Sequence, residues 1–202
     1  MGNPVTTRER ILDQGLALMS QAGLEGVTLG VLAEQVGMSK SGLFAHFRSK
    51  EEVQIRLLEH TAVVGAVHII APSMKEPEGL PRLKALVRNW FGWATRAGLP
   101  GGCPVAAGMF ELDDVEGPVR DKISAMEAEW RGLLTKTVAD ASSLGHLRSD
   151  LDVAQFVWEL CGIYLSHHVA QRFLKSPDAD RRAQTAFAAL LERAAPAKRK
   201  NK

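Results

Sequence analysis

The sequence predicts an all-α protein, with a small N-terminal helix-turn-helix domain and a larger helical body. Three observations lead there. Apolar residues recur at three-and-four spacing along almost the whole chain, and no alternating run of strand length interrupts them. Ser, Thr or Asp stands before many of these stripes, and Gly or Pro stands after them. Between residues 28 and 47 two short apolar stripes are joined by Val36-Gly37-Met38, which is too short for anything but a tight turn.

The first helix opens at Thr6-x-x-Glu9, a capping-box spacing, carries Ile11, Leu12, Leu16, Leu18 and Met19, and stops at Gly23. Thr28 caps a short second helix, Leu29 to Gln35, and Ser39 caps a third, Lys40 to His46. Ser49-Lys50-Glu51-Glu52 reads as a second capping box, opening a long fourth helix to about Ile70. Pro72 to Gly79 is the clearest linker. A fifth helix is expected from Pro81 to Ala97, with Leu83, Leu86, Val87, Trp90, Phe91 and Ala94 on one stripe. Gly98 to Gly102 breaks the chain, and Cys103-Pro104 starts a short sixth helix to Leu112. A seventh runs from Pro118 towards Gly145. The eighth, Asp152 to Leu174, shows almost no polar face, so something must cover its outer side. The ninth, Asp178 to Ala194, has a stripe at Ala183, Ala186, Phe187, Leu190, Leu191 and Ala194. These elements divide into residues 1–60 and a body of residues 61–202.

Composition narrows the function classes. With 202 residues, 46% hydrophobic and 24% charged, the chain can bury a real core and is not disordered. No run approaches a membrane span in apolar length. Met1-Gly2-Asn3-Pro4-Val5-Thr6 lacks the apolar stretch of a signal peptide and matches only a loose acylation pattern. Cys103 and Cys161 form no disulfide framework, so the expected setting is the reducing cytoplasm. Lys198, Arg199, Lys200 and Lys202 supply four of the 25 positive charges, so the rest of the chain holds 21 against 23 acidic residues. Basic character is therefore local: Lys40, Arg48 and Lys50 lie with His46 in a window free of acids.

That window is the second half of the helix-turn-helix. Ala33 is small where the two helices cross, and Gly37 suits the left-handed turn. Leu32, Val36, Met38, Leu43 and Phe47 are apolar where the helices must share a core, which leaves Lys40, Ser41, Phe44 and Ala45 outward. Thr28, Ser39 and Ser49 open three helix N-termini, whose free N–H groups favour phosphate, and Lys50 sits at the third. Together these features point to double-stranded DNA as a partner.

Arg10-Ile11-Leu12, Val27-Thr28, Leu32-Ala33 and the unbroken run from Val36 to Glu52 resemble the tetracycline-repressor (TetR) family of bacterial regulators. The resemblance covers about the first sixty residues and implies a homodimeric transcription factor, usually a repressor, released from a near-palindromic operator by a small molecule. It implies that Thr28, Lys40, His46 and Lys50 touch the DNA backbone, and that Ser39, Ser41, Gly42 and Phe44 lie on the recognition helix. Two departures matter: the family most often has Gly then Thr where this chain has Ser41-Gly42, and Tyr where it has Phe44. The operator sequence cannot be carried over.

The body offers an apolar or aromatic effector site at Trp90, Trp93, Cys103, Met109, Phe110, Met126, Trp130 and Tyr164. The surplus apolar surface of the last two helices suggests a dimer seam at Phe156, Leu160, Ile163, His167, Phe187 and Leu190. No phosphate loop, dinucleotide fingerprint, zinc-protease motif or nucleophile elbow is present, so neither an enzyme nor a cofactor is expected. His168 shares a helix face with Tyr164 and Cys161, too few groups for a metal ligand set. Two rivals stay open: a helical ligand-binding protein or enzyme that kept the fold but not the DNA, and a thiol-based sensor of oxidants or electrophiles. In the second, Cys103 at a helix cap would be accessible beside its glycines.

Overall fold

The computed structural model describes residues 6–197. Residues 1–5 of the acylation pattern and the basic tail Lys198–Lys202 lie outside that range. Every regular element among the described residues is helical.

Helix α1 spans Thr7–Ala22 and opens on a true capping box. The Glu9 N–H donates to Thr6 Oγ1 at 3.2 Å, and the Thr6 N–H donates to Glu9 Oε2 at 2.7 Å. The hydrogen bond from the Thr6 backbone, helped by the Thr6 side chain, holds the Glu9 carboxyl below its usual range. A group lowered in this way supports the cap above its ordinary titration and loses it as pH falls. Helices α2 (Leu29–Val36) and α3 (Lys40–Phe44) follow, capped by Thr28 and Ser39.

Helix α4 runs unbroken over Lys50–Ser73, with a π turn at Ala66–Ile70, so Pro72 belongs to its last turn and not to the linker. The box expected at Ser49 is not reciprocal. Ser49 Oγ accepts from the Glu52 N–H at 3.0 Å, but the Glu52 carboxylate reaches one residue further back, to the Arg48 N–H at 2.8 Å. By length and hydropathy α4 would pass as a membrane span, yet Val53, Leu57 and Leu58 carry its first half into a protein core.

The single helix expected over 81–97 is two helices, α5 (Leu80–Trp90) and α6 (Trp93–Arg96). Phe91 is extended (φ −65°, ψ 121°), and Gly92 takes a φ of 72°, which breaks the ladder between them. An apolar stripe records which side of a helix is buried but not a single left-handed residue within it. Helices α7 (Pro104–Glu111), α8 (Pro118–Ser143), α9 (Val153–Arg172) and α10 (Ala179–Arg193) complete the chain.

These helices make two compact units. The first holds the chain to Ala66 together with Trp93–Glu127; the second holds Val67–Gly92 and the chain from Ala128 onward. The core of the first unit joins Ile11, Leu16 and Met19 of α1 to Leu32, Val36, Leu43 and Phe47 of the helix-turn-helix, to Val53, Leu57 and Leu58 of α4, and to Ile123. His60 of α4 and Asp13 of α1 add a 2.7 Å contact between Nε2 and Oδ1. In the second unit α9 packs along α10. Their inner faces bury Phe156, Leu160, Ala183 and Leu190, and His167 Nε2 meets Asp180 Oδ1 at 2.7 Å.

Helix α9 is not buried all round within the chain. Phe156, Leu160, Tyr164 and His167 face inward, while Trp158 (66% exposed), Val169 and Phe173 (83% exposed) stand outward.

Leu43 and Phe44 are adjacent, but one is fully buried and the other 50% exposed. Leu43→Ala should destabilise the protein by about 2–5 kcal/mol. Phe44→Ala should shift stability by about 0.5 kcal/mol or less. Urea unfolding of both variants checks the pair.

Candidate nucleic-acid interface

The reading element is built by local chemistry. Thr28 Oγ1 accepts from the Val31 N–H at 3.2 Å and starts α2. Gly37 ends it in the left-handed region (φ 70°, ψ 33°), and the Met38 N–H reaches back to the Ala33 carbonyl at 2.9 Å. Ser39 Oγ then accepts from the Gly42 N–H at 3.0 Å and lies 3.0 Å from Ser41 Oγ, so both serines are fixed at the first turn of α3. Leu32, Ala33, Val36, Leu43 and Phe47 are buried beneath this turn, and Met38 packs against them.

The residues expected to face DNA all lie at least partly on the surface. Thr28, Ser39, Lys40, Ser41 and Phe44 are exposed, and Gly42, His46 and Lys50 are half-buried. The stem of Lys40 lies against Gly30, where a Cβ would stand 3.2 Å from its Cε. The His46 ring leans on Phe47 with centroids 6.4 Å apart, and the Arg8 guanidinium lies 5.9 Å from the Phe47 ring centre on its other contact. Short hydroxyls, one bare aromatic ring and two ammonium groups can approach a groove and its phosphates.

Sequence reasoning missed one member of this region. Lys50 Nζ lies 2.8 Å from Glu25 Oε2, so the acid-free window receives an acid from the loop between α1 and α2. A separation of 25 residues leaves no local signal in the sequence. The same loop is gripped from elsewhere: Glu111 Oε2 accepts from the N–H groups of Leu24 (2.8 Å) and Glu25 (3.2 Å), and buried Gln54 Nε2 donates to the Leu24 carbonyl at 2.7 Å.

The eight candidate effector residues divide between the units. Trp90, Trp130 and Tyr164 gather in the second unit: Trp90 stacks on Tyr164 with centroids 3.9 Å apart and meets Trp130 edge-on at 4.9 Å. Phe91 joins them and stacks on His167 at 5.3 Å. The Trp130 Nε1 atom is buried there without a hydrogen-bond acceptor. Trp93, Cys103, Met109 and Met126 belong to the first unit, where Met109 and Met126 pack against its core, and Phe110 is exposed. Met109 also lines a cleft of about 210 Å³ with Leu112, Ile123, Asp113 and Arg120.

Cys103 is 8% exposed, against the expectation of an accessible thiol. The preceding glycines do not open the loop but press it onto α1: the Gly101 and Gly102 N–H groups donate to Ser20 Oγ and Ser20 O at 3.0 and 2.9 Å. A Cβ on Gly101 would stand 1.8 Å from that carbonyl oxygen. Among the described residues no three His, Cys, Asp or Glu side chains gather as a metal site.

Of the six residues expected at a dimer seam, Phe156, Leu160, His167 and Leu190 are already buried in the chain's own second unit, while Ile163 and Phe187 are partly exposed. Sequence periodicity found the apolar helix but could not say which side its own partner covers.

Residues 11–57 match the family described as bacterial regulatory proteins, tetR family, and residues 79–187 match the tetracyclin repressor-like C-terminal domain. The nucleoid occlusion factor SlmA of Cronobacter sakazakii is 31% identical over 180 residues, spanning 86% of this chain and 88% of that protein. Among solved structures, a TetR transcriptional regulator from Chloroflexus aurantiacus superposes with a TM-score of 0.81 at 22% identity, covering 92% of each chain. AibR, solved with isovaleryl coenzyme A and operator DNA, gives a TM-score of 0.70 at 21% identity over 90% of this chain and 96% of that one. Matches over both halves of the chain, with a helix-turn-helix at the predicted residues, place it in one family: it belongs to the TetR family of DNA-binding transcription regulators.

Proposed function

We propose that the chain is a homodimeric repressor that binds a near-palindromic operator through residues 1–60 and is released by a small apolar or aromatic effector held by the body, residues 61–202. It would act in the cytoplasm, and it is not an enzyme. The observation that carries the DNA half is the exposed face of Ser39, Lys40, Ser41 and Phe44 over a fully formed helix-turn-helix core. Thr28, His46 and Lys50 flank it as phosphate contacts.

The dimer rests on α9. Trp158, Val169 and Phe173 form an outward stripe opposite the buried face, and a second copy of the same helix would remove it from water. This moves the proposed seam outward from Phe156, Leu160, His167 and Leu190, and keeps Ile163 and Phe187 at its margin. The effector reading is supported by the aromatic group Trp90, Trp130 and Tyr164, and by the acyl thioester bound to AibR, whose acyl part is apolar. An effector lowers DNA affinity only by binding more tightly to a state whose two recognition helices are wrongly spaced.

One observation favours a second reading: the SlmA relatives are named as nucleoid occlusion factors, and the likeness spans most of both chains. Chromosome-wide occupancy separates the two. A promoter repressor occupies one or a few sites, including DNA beside its own gene. Occupancy scattered over the chromosome, with no change in neighbouring transcription on deletion, would favour the second reading.

Three measurements test the molecular claims. A mobility shift on DNA flanking the gene should show a saturable complex, and Phe44→Ala should abolish it without loss of fold. Lys50→Ala should weaken all duplexes about equally and lower the salt slope by about one per subunit; a changed base preference at constant slope would refute the phosphate assignment. Trp158→Asp should give a folded monomer in sedimentation, with operator affinity lost. A Trp158→Asp protein that stays dimeric would put the seam elsewhere. A charge at Leu190 is the wrong probe, because that side chain belongs to the fold of the single chain.

A further inference from the structure

The acid that meets Lys50 has no role in the function proposed so far. Glu25 is largely exposed and belongs to the short loop between α1 and α2, yet its Oε2 lies 2.8 Å from Lys50 Nζ. Lys50 is also the first residue of α4, where free backbone N–H groups already favour an anion. A carboxylate on this ammonium therefore occupies the position that a DNA phosphate would need. The two anions cannot hold the ammonium in the same geometry without their charges repelling each other.

The loop that presents Glu25 is not left to itself. Glu111, the last residue of α7, places Oε2 2.8 Å from the Leu24 N–H and 3.2 Å from the Glu25 N–H. These are charge-assisted bonds, about twice as strong as neutral ones. On the other side Gln54 Nε2 donates to the Leu24 carbonyl, from a position one turn along α4 from Lys50. The Glu111 carboxylate also fills the space over Gly23, where a Cβ would stand 2.3 Å from its Oε1. Movement of α7 would thus be felt first in the backbone of residues 24 and 25, and through the Glu25 carboxylate at Lys50.

We propose that Glu25 competes with DNA phosphate for the Lys50 ammonium, and that Glu111, by holding the backbone of the 24–25 loop, is the positioning residue that sets the strength of that competition. This rests on Lys50 being a phosphate contact. It makes the loop an internal brake on DNA affinity, adjustable from α7.

The test is a set of binding isotherms on a mixed-sequence duplex over a range of salt, for the full chain and its variants. Glu25→Gln should tighten binding about two- to fivefold per protomer, the scale of one exposed ion pair. Removing a negative charge near DNA tightens binding by itself, so the deciding comparison is made in a Lys50→Ala background. There the gain from Glu25→Gln should shrink to that general effect. Equal gains with and without Lys50 would overturn the competition. Glu111→Gln, which keeps the shape beside Gly23 but weakens both bonds, should tighten binding in the same direction, and once Glu25 is Gln its gain should shrink to the general effect of removing one negative charge. Additive gains would overturn the positioning role. The Glu25 and Lys50 variants are exposed or half-exposed, so that cycle decides the competition whatever Glu111→Gln does to stability. Lys50→Ala with an unchanged salt slope would instead overturn the phosphate reading, and the competition with it.

Discussion

The backbone of Leu24 is the point on which the first unit turns. Its side chain is buried in the core, so its N–H and carbonyl cannot rely on water. Both are satisfied from far away in the chain, the N–H by Glu111 and the carbonyl by Gln54. An orphaned buried group would cost about 1–3 kcal/mol. The end of α1, the start of α4 and the end of α7 therefore meet at one residue. Residues 93–127 share this compact unit with the reading head.

The reading head was legible in the sequence because its determinants are short-range. Thr6 with Glu9, Thr28, Ser39 and Gly37 act within three or four residues, and each does in the structure what its spacing implies. Partners at long range left no such trace. Nothing in Glu25 or Glu111 marks them as the residues that meet Lys50 and the 24–25 loop. The reciprocal box at Ser49 failed for a related reason: the Glu52 side chain had two N–H groups in reach, and the pattern does not say which it takes. The break at Gly92 was hidden because a left-handed glycine leaves the apolar stripe around it intact.

The body was legible in kind but not in detail. Apolar content identified α9 as a helix with two faces to cover, yet only the packing of α10 shows that Phe156, Leu160 and His167 are covered from within, leaving Trp158 and Phe173 outside. The aromatic candidates were sorted in the same way. Trp90, Trp130 and Tyr164 came together, whereas Cys103 was closed off by the contact of Gly101 and Gly102 with Ser20. Residue type predicts what a side chain would contribute to a site, and tertiary packing decides whether it is there to contribute.

The proposed homodimer would hold two reading heads at a spacing that DNA can accept. Pulsed dipolar spectroscopy reads that spacing directly, with a spin label at Gln35→Cys, an exposed position beside the turn of each head. The native thiols Cys103 and Cys161 are both buried and should label slowly. On the operator recovered by mobility shift, the proposed spacing requires a single narrow distance distribution, placing the recognition helices about 34–36 Å apart, one turn of B-DNA. In the absence of DNA the distribution should be broader. A DNA complex with no dipolar signal, or with a distribution identical to that of the free protein, would contradict it.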